Sequence, residues 1–337
     1  MNIELLKKED ESRWDEFVFR SERATYCHLL GWRDVIKESY NHQDLYLVAK
    51  DGKEIHGILP AFIIKHPLFG KKIISLPFFT YGGIIGQNQK AYRLLIEYLK
   101  QYLKENRYDY FEMRSLTEDK TLKAELNKVT FLIDLRVGAN NIWQRMDKKL
   151  RNQIRKAKRS NFQFGIGNEH LSDFYELYQK TMKRVGTPVH SFNFFQKVVE
   201  QFPEAVNIFI ARFESKIISA LFFFNFKDTA INLWGASDEK FWKLNPNNFL
   251  YWEAIKYFLD KGFQYLDFGS TGRYSPTWHF KQQWGGIEKQ IFYQYYYYKN
   301  KISPSFREKY GKFSSVWKIL PNFITNKIGP KIRKYVP

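Results

Sequence analysis

The chain has 337 residues, enough for two cores, because single hydrophobic cores stop growing at roughly 250 to 300 residues. Apolar residues at 44% and aromatics at 18% exclude wholesale disorder, and 54 Lys and Arg against 35 Asp and Glu leave a formal charge of +19. That excess favours phosphate-rich partners: nucleic acid, nucleotide-linked substrates or an anionic membrane. One cysteine, Cys27, excludes an intramolecular disulfide framework and fits a reducing, cytoplasmic setting.

The opening MNIELLKKEDESRW has no apolar signal region, and no stretch approaches the roughly eighteen uninterrupted apolar residues of a membrane span. The chain is expected neither to enter nor to cross a membrane by itself. From residue 44 the pattern reads strand (DLYLVAK), tight turn at Asp51 and Gly52, strand (EIHGILPAFIIK), strand (KIISLPFFTYGG), helix (QKAYRLLIEYLKQYLKEN) and strand (YDYFEMRS). Leu94, Leu95, Tyr98, Leu99, Tyr102 and Leu103 supply the three-and-four spacing of the helix's apolar face. The glycines of YGGIIG, residues 81 to 86, admit two readings: free amides that meet an anion, or a tight turn with no ligand.

Residues 140 to 160, NNIWQRMDKKLRNQIRKAKRS, read as a polar, helical bridge between the halves. Ile142, Met146, Leu150, Ile154 and Ala157 form one stripe that must pack, and Lys148, Arg151, Arg155 and Arg159 form a cationic stripe about 100° away. Arginines held beside a packed surface can grip phosphate through their planar donors; the alternative is a solvated basic face.

The same order then returns: strand (VNIFIARF), turn (ESK), strand (IISALFFFNF), strand (AINLWGAS), helix (PNNFLYWEAIKYFLDKG) and strand (FQYLDFGS). Asn245 suits the helix N-cap, Pro246 its first position and Gly262 its left-handed stop. A strand, helix, strand crossover makes its strands parallel while the preceding hairpins are antiparallel, so each half is expected to hold a mixed sheet. The boundaries expected are 1–139, 140–303 and a basic amphipathic tail, 304–337, which mixes Trp317, Ile319, Leu320, Phe323 and Ile324 with many Lys and Arg residues. Such a tail either lies on an anionic membrane or docks on its own domain.

The histidines lack metal-site spacing and one cysteine cannot make a thiolate zinc site, so no metal is expected. The chain has no GxSxG elbow, no phosphate-binding GxxxxGK loop and no complete dinucleotide glycine signature. His190 and His279 follow turn-rich segments and stand as weak acid–base candidates beside their ordinary structural role.

Together, the paired units and the segments LRNQIRKAKRSNF, FYELYQKTMKRVGTP, LWGAS with NPNNFLYWEAI, and LDFGSTGRYSPTWHFKQQWGG resemble the FemAB (FemABX) peptidoglycan-bridge aminoacyltransferases, relatives within the GNAT acyltransferase superfamily. The likeness spans nearly the whole chain. It implies an α/β protein of two tandem GNAT-like domains, an acceptor cleft in the first and an acyl-donor channel in the second. It implies acceptor-binding roles for Trp32, Tyr81, Arg151 and Arg155, and donor-side roles for Lys243, Arg273, Lys281 and Trp284. DFGST stands where the family's commoner DFGRS would be, so Arg273 is displaced from the usual position. The YGGIIGQ segment has Gly86 where peptidoglycan-specific members carry an acidic residue.

The activity implied is transfer of an aminoacyl group from aminoacyl-tRNA to an amine of a nucleotide- or lipid-linked cell-surface precursor. Acyl-CoA-dependent N-acyl transfer in exopolysaccharide synthesis is the rival, and a silent RNA- or membrane-surface-binding protein of the same fold the third reading. No catalytic side chain is assigned. The setting implied is the cytoplasm, with peripheral contact at the inner membrane face.

Overall fold

The computed structural model describes residues 1–66, 70–298 and 314–336. They fall into two units, the first taking in Met1–Lys128 with the described parts of Gln290–Gly311 and Lys331–Pro337, the second Val129–Lys289 with the described part of Lys312–Pro330. In chain order the first 128 residues give β1 (Asn2–Leu5), α1 (Glu11–Arg20), α2 (Gly31–Tyr40), β2 (Gln43–Asp44), β3 (Leu47–Asp51), β4 (Glu54–Leu59), β5 (Ala61–His66), β6 (Gly70–Ser75), β7 (Ile85–Gly86), α3 (Gln89–Glu105) and β8 (Tyr110–Ser115). Then come β9 (Lys123–Asp134), α4 (Gly138–Arg145), α5 (Lys148–Lys158), β10 (Gln163–Ile166), α6 (Leu171–Val185), α7 (Phe192–Gln201), β11 (Val206–Phe213), β12 (Lys216–Phe226), β13 (Thr229–Ser237), α8 (Pro246–Asp260), β14 (Tyr265–Asp267), β15 (Thr271–Gly272), α9 (Pro276–Gln282) and β16 (Ile287–Tyr297).

In the first unit, β6 and β8 flank α3 in sequence and pair in parallel, while β5–β6 and β8–β16 pair antiparallel, giving the expected mixed sheet. The segment EIHGILPAFIIK is not one strand. Pro60 has no amide to give a ladder, and it divides β4, which joins β1, β3 and β7, from β5, which joins β2 and β6. KIISLPFFTYGG likewise stops at Ser75, because Leu76 and Phe78 on either side of Pro77 take positive φ. α3 packs on β1, β3, β4 and β7 and buries Ala91, Leu95, Ile96, Leu99 and Leu103, with Asn88 capping it by accepting from the Ala91 amide.

In the second unit the order is β10-β11-β12-β13-β14-β9, antiparallel except for the parallel β13–β14 pair across α8. The expected bridge over residues 140–160 is two helices, broken where Met146 goes extended, and it belongs inside this unit. Its stripe of Ile142, Met146, Leu150, Ile154 and Ala157 is at most 3% exposed and packs in the core with α8. Each Leu or Ile buried in this way contributes about 1.5–3 kcal/mol. The same core takes Val129, Phe131, Ile133 and Leu135 from β9, so the units divide at Lys128/Val129, earlier than the 139/140 boundary read from the sequence. β16 returns the chain to the first unit from Gln290, and the expected boundary at 303, like residues 304–313, lies outside the described residues.

Candidate functional site

In the second unit the chemistry-bearing feature is a splay between two parallel strands. β13 runs to Ser237 but pairs with β14 only over Thr229–Ile231, so beyond Ile231 one edge of its backbone has no strand partner among the described residues. A register shift against β12 leaves Leu233 unopposed there, with Trp234 facing Phe222 and Asn232 facing Phe223. The bulge is fixed by Asn232, whose Nδ2 donates to the Phe222 and Trp234 carbonyls at 3.3 and 3.2 Å while its Oδ1 accepts from the Tyr251 hydroxyl at 2.8 Å. Burial pushes the Tyr251 phenol above its ordinary range, so it stays a neutral donor.

The loop after β14 closes against this bulge. Gly269 takes φ +72°, and a Cβ there would lie 2.4 Å from the Asn232 carbonyl oxygen, so only glycine fits. The Asp267 carboxylate accepts from the Gly269 amide at 2.7 Å and from the Thr130 hydroxyl. Lys281, 6% exposed, donates its ammonium to the Gly269 and Ser270 carbonyls at 2.8 and 3.1 Å. Trp284 is fully buried against Tyr251 and Phe268. Lys281 and Trp284, both expected on the donor side, therefore shape the loop from beneath. Arg273 meets Glu288 through Nε and Nη2 at 3.0 and 2.9 Å, and the Trp278 indole donates to the other oxygen of that carboxylate.

Next to the splay along β13 and α8, a cavity of about 240 Å³ is lined by Trp242, the stretch Asn245 to Asn248, Phe280, Gln283, Lys149 and Gln153. It sits at the start of the fifteen-residue α8, where free amides and the helix dipole favour a negative ligand. Asn245 does not cap α8 with its side chain; it is left-handed at φ 57°, and Pro246 opens the helix. The rim is ordered by polar contacts: Asn247 donates to the Ser237 hydroxyl and accepts from Ser219, Trp242 donates to Ser237, and Asn248 donates to Gln153. Lys243 is exposed beside Trp242 and outside the lining.

α5 lends the cavity Lys149 and Gln153, not Arg151 or Arg155. At 100° per residue, positions 149 and 153 flank one side of the Leu150–Ile154 seam and positions 151 and 155 the other. Arg151 is half-buried, and Arg155 is exposed, with its guanidinium 5.3 Å from the Trp143 ring centre and a bond to Asn152. The sequence singled out the arginine stripe by charge and spacing; Gln153 and the asparagines carry no such signal.

The first unit has a cleft of its own, about 600 Å³ in volume, at the start of α3, lined among others by Arg23, Gly86, Tyr92, Arg93 and Lys120. A smaller recess of about 70 Å³ shares Arg23, Gly86 and Tyr92 with it and adds Tyr81, His28 and Gly83. Tyr81 is thus in the wall. Trp32 is not: fully buried, it donates to the Tyr26 carbonyl at 2.8 Å and packs on Phe79, holding the loop that carries Tyr81. Thr25 donates to the Tyr81 carbonyl, and His28 lies 2.9 Å from the Gly83 carbonyl. The glycines of YGGIIG answer to close packing, since a Cβ would meet Leu76 at 2.7 Å from Gly82, Ser115 at 2.8 Å from Gly83 and the Tyr92 amide at 2.9 Å from Gly86.

The Tyr92 hydroxyl donates to Asp119 at 2.9 Å. Burial works against that carboxylate, yet bonds from Thr121 and Tyr92 with Lys100 nearby hold it below its ordinary pKa. Burial also pushes the Cys27 thiol up to about 11, which leaves it a poor nucleophile. His190 is fully buried and stacked on Phe194, and His279 is exposed on α9. Among the described residues no cluster has the make-up of a metal site, and no helix is long and apolar enough to cross a membrane.

Parallel strands that splay beside a bulge, with a polar cavity at the following helix start, are the arrangement of a GNAT-type fold. Residues 144–282 match the acetyltransferase (GNAT) domain family, and the chain is an acyltransferase. Its fold is that of FemX, at 14% identity over 87% of this chain and 97% of that one, with a TM-score of 0.66. The C-terminal domain of a putative lysylphosphatidylglycerol synthetase from Agrobacterium fabrum follows at 11% identity, 90% and 96% coverage and TM-score 0.60. A tandem GNAT protein from the clavulanic acid biosynthesis pathway gives 8%, 89%, 100% and 0.54 in the same order. No curated protein sequence matches the chain. The expected mixed α/β, tandem GNAT architecture is therefore the observed one.

Proposed function

We propose that the chain transfers an aminoacyl group from aminoacyl-tRNA to an amine of a phosphate-bearing cell-surface precursor. The observation that carries the reading is the splay beyond Ile231, with its bulge held by Asn232 and its cavity at the start of α8. An amine of the acceptor attacks the ester carbon, the carbonyl oxygen gathers negative charge, and bulge amides aimed into the splay stabilise it. The C–O bond to the terminal ribose then breaks, and the proton lost by the amine ends on that oxygen. The ester is already activated, so positioning in a water-poor site supplies much of the acceleration and no side-chain base is required.

Two features favour tRNA over coenzyme A. The segment joining β13 to α8 is a helical turn, Glu239–Leu244, without the glycine-rich loop that wraps a pyrophosphate, and the charge of +19 suits a polyanion. Lys149 and Lys243 are the donor-side cations of this reading. The acceptor phosphate falls to Arg23, Arg93 and Lys120 of the first-unit cleft, which have no ion pair among the described residues, with Tyr81 in the wall. Arg151 and Arg155 are kept as further acceptor contacts. FemX and the lysylphosphatidylglycerol synthetase domain support aminoacyl chemistry of this kind.

The test supplies purified chain with charged tRNA, labelled in its amino acid, and cell-wall precursor. Ribonuclease-sensitive transfer of label to the precursor is the expected outcome. Release of free coenzyme A from acyl-CoA and acceptor alone, or salt-sensitive tRNA binding with no turnover, overturns the reading in favour of an N-acyltransferase or a silent binding protein.

A further inference from the structure

The last described residues, 314–336, are docked on the protein yet leave an apolar edge in solvent. Trp317 is 1% exposed and Thr325 2%, and Gly329 packs so closely that a Cβ would lie 3.0 Å from Val189 and 3.5 Å from Trp317. Ser314 fills the space beside the left-handed Gly186 that ends α6, and Lys183 donates to Asn322 at 2.6 Å. Further on, the Arg333 guanidinium lies 5.4 Å from the Phe78 ring centre and Tyr335 packs edge-on to His66. Docking was one of the two fates read from the sequence.

Docking does not hide the other side. Val316 and Ile319, on the helical stretch 314–319, are 54% and 81% exposed, and Phe323, at the start of the helix Asn322–Arg333 that follows the break at Leu320 and Pro321, is 73% exposed; each precedes a buried or partly buried residue, Trp317, Leu320 and Ile324. Single exposed apolar residues are ordinary, but three large ones within eight residues, on either side of the break at Leu320 and Pro321, exceed that scatter. Val185, at the end of α6, is another 46% exposed residue beside Gly186. Between residues 314 and 336 the sequence has Lys318, Lys327, Lys331, Arg333 and Lys334 and no Asp or Glu. Lys318 and Lys327, on the same stretch, are exposed.

We infer that Val316, Ile319 and Phe323, rimmed by Lys318 and Lys327, form a docking surface for an anionic lipid bilayer. Apolar side chains enter the boundary between headgroups and acyl chains while lysines reach phosphate around them, as an interfacial helix does. The charge decides against other occupants. A second copy of the chain would oppose two wholly cationic edges, and nucleic acid offers no medium for Ile319 and Phe323. With no helix suited to spanning, among the described residues, the contact is peripheral. This inference needs neither donor nor acceptor and stands apart from the proposed transfer reaction.

Full-length protein is floated with vesicles of mixed phosphatidylglycerol and phosphatidylcholine and, separately, of phosphatidylcholine alone. Binding to the former, weakened by salt and absent from the latter, is expected. The double variant Ile319→Glu/Phe323→Glu is expected to partition at least about tenfold less, with unchanged circular dichroism because both side chains stand in solvent. A Phe323→Trp variant reports directly, the emission of its added indole, read against the wild type, shifting to the blue on anionic vesicles. Failure of the wild type to float, equal flotation of the double variant, or no blue shift from the added indole while the protein is bound each overturns the assignment. So does a dimer that the double variant converts to monomer, which makes the patch a self-interface.

Discussion

Lys281 and Gly269 are joined by a 2.8 Å hydrogen bond from a buried ammonium to a backbone carbonyl, and this contact helps tie α9 to the loop that closes the strand splay. A hydrogen bond from a charged donor contributes about 1.5–3 kcal/mol, and Lys281 makes a second one to Ser270. Lys281→Met keeps most of the packing and removes the charge. It is expected to lower unfolding free energy in urea by about 2–3 kcal/mol and to lower turnover more than donor affinity. Unchanged turnover in a folded variant would show that the loop's position does not matter to the reaction.

Gly269 and Gly262 offer a matched pair. Both have positive φ, +72° and +80°, but a Cβ at 269 runs into the Asn232 carbonyl at 2.4 Å whereas one at 262 meets nothing within 4 Å. Gly262→Ala bears only the left-handed strain, about 1–2 kcal/mol. Gly269→Ala adds a backbone collision at the bulge, so its melting temperature is expected to fall further and its transfer activity to be lost. Equal melting temperatures would show that the bulge can yield.

The mixed α/β grammar of both units was legible because α8 and α3 carry long apolar faces and the hairpins carry turn residues at their joints. The failures have local causes. Pro60 divides a run whose apolar character is continuous, so composition alone gives one strand where the backbone makes two. Met146 keeps the helical spacing of the seam even as its own backbone goes extended. At the site, charge drew attention to Arg151 and Arg155, while the cavity is built from Gln153, Asn247 and Asn248, whose value lies in contacts between α5, β13 and α8 that no local pattern encodes.

Opposite flanks of α5 can be separated by kinetics. Lys149 lines the cavity at the start of α8, so Lys149→Ala is expected to raise the donor KM about five- to tenfold, the loss of roughly 1–1.4 kcal/mol. Arg151→Ala is expected to raise the acceptor KM instead and to leave the donor titration alone. Neither side chain supports the core, and both variants should keep the wild-type melting temperature. If both affect the same substrate, the division of α5 into a donor flank and an acceptor flank fails.

Lys72 tests the electrostatics of the first unit. Lys72 is 6% exposed in β6, and burial brings its pKa from 10.5 down to about 8, with Glu112 partly opposing that fall and Arg114 adding to it. Glu112 itself is held by Arg114 at 2.7 Å. Below pH 8 Lys72 is protonated in both folded and unfolded chains. Between about 8 and 10.5 the unfolded chain keeps a proton that the folded chain has released, so this group makes the protein more stable as pH rises, by at most about 1.4 kcal/mol per unit. Tyrosines whose phenols are pushed up by burial, such as Tyr295, act in the opposite sense once unfolded phenols begin to ionise near pH 10. The usable range is therefore about 8 to 9.5. The difference in urea unfolding free energy between wild type and Lys72→Met should rise in the wild type's favour across it, and a flat difference would mean that Lys72 titrates at an ordinary value.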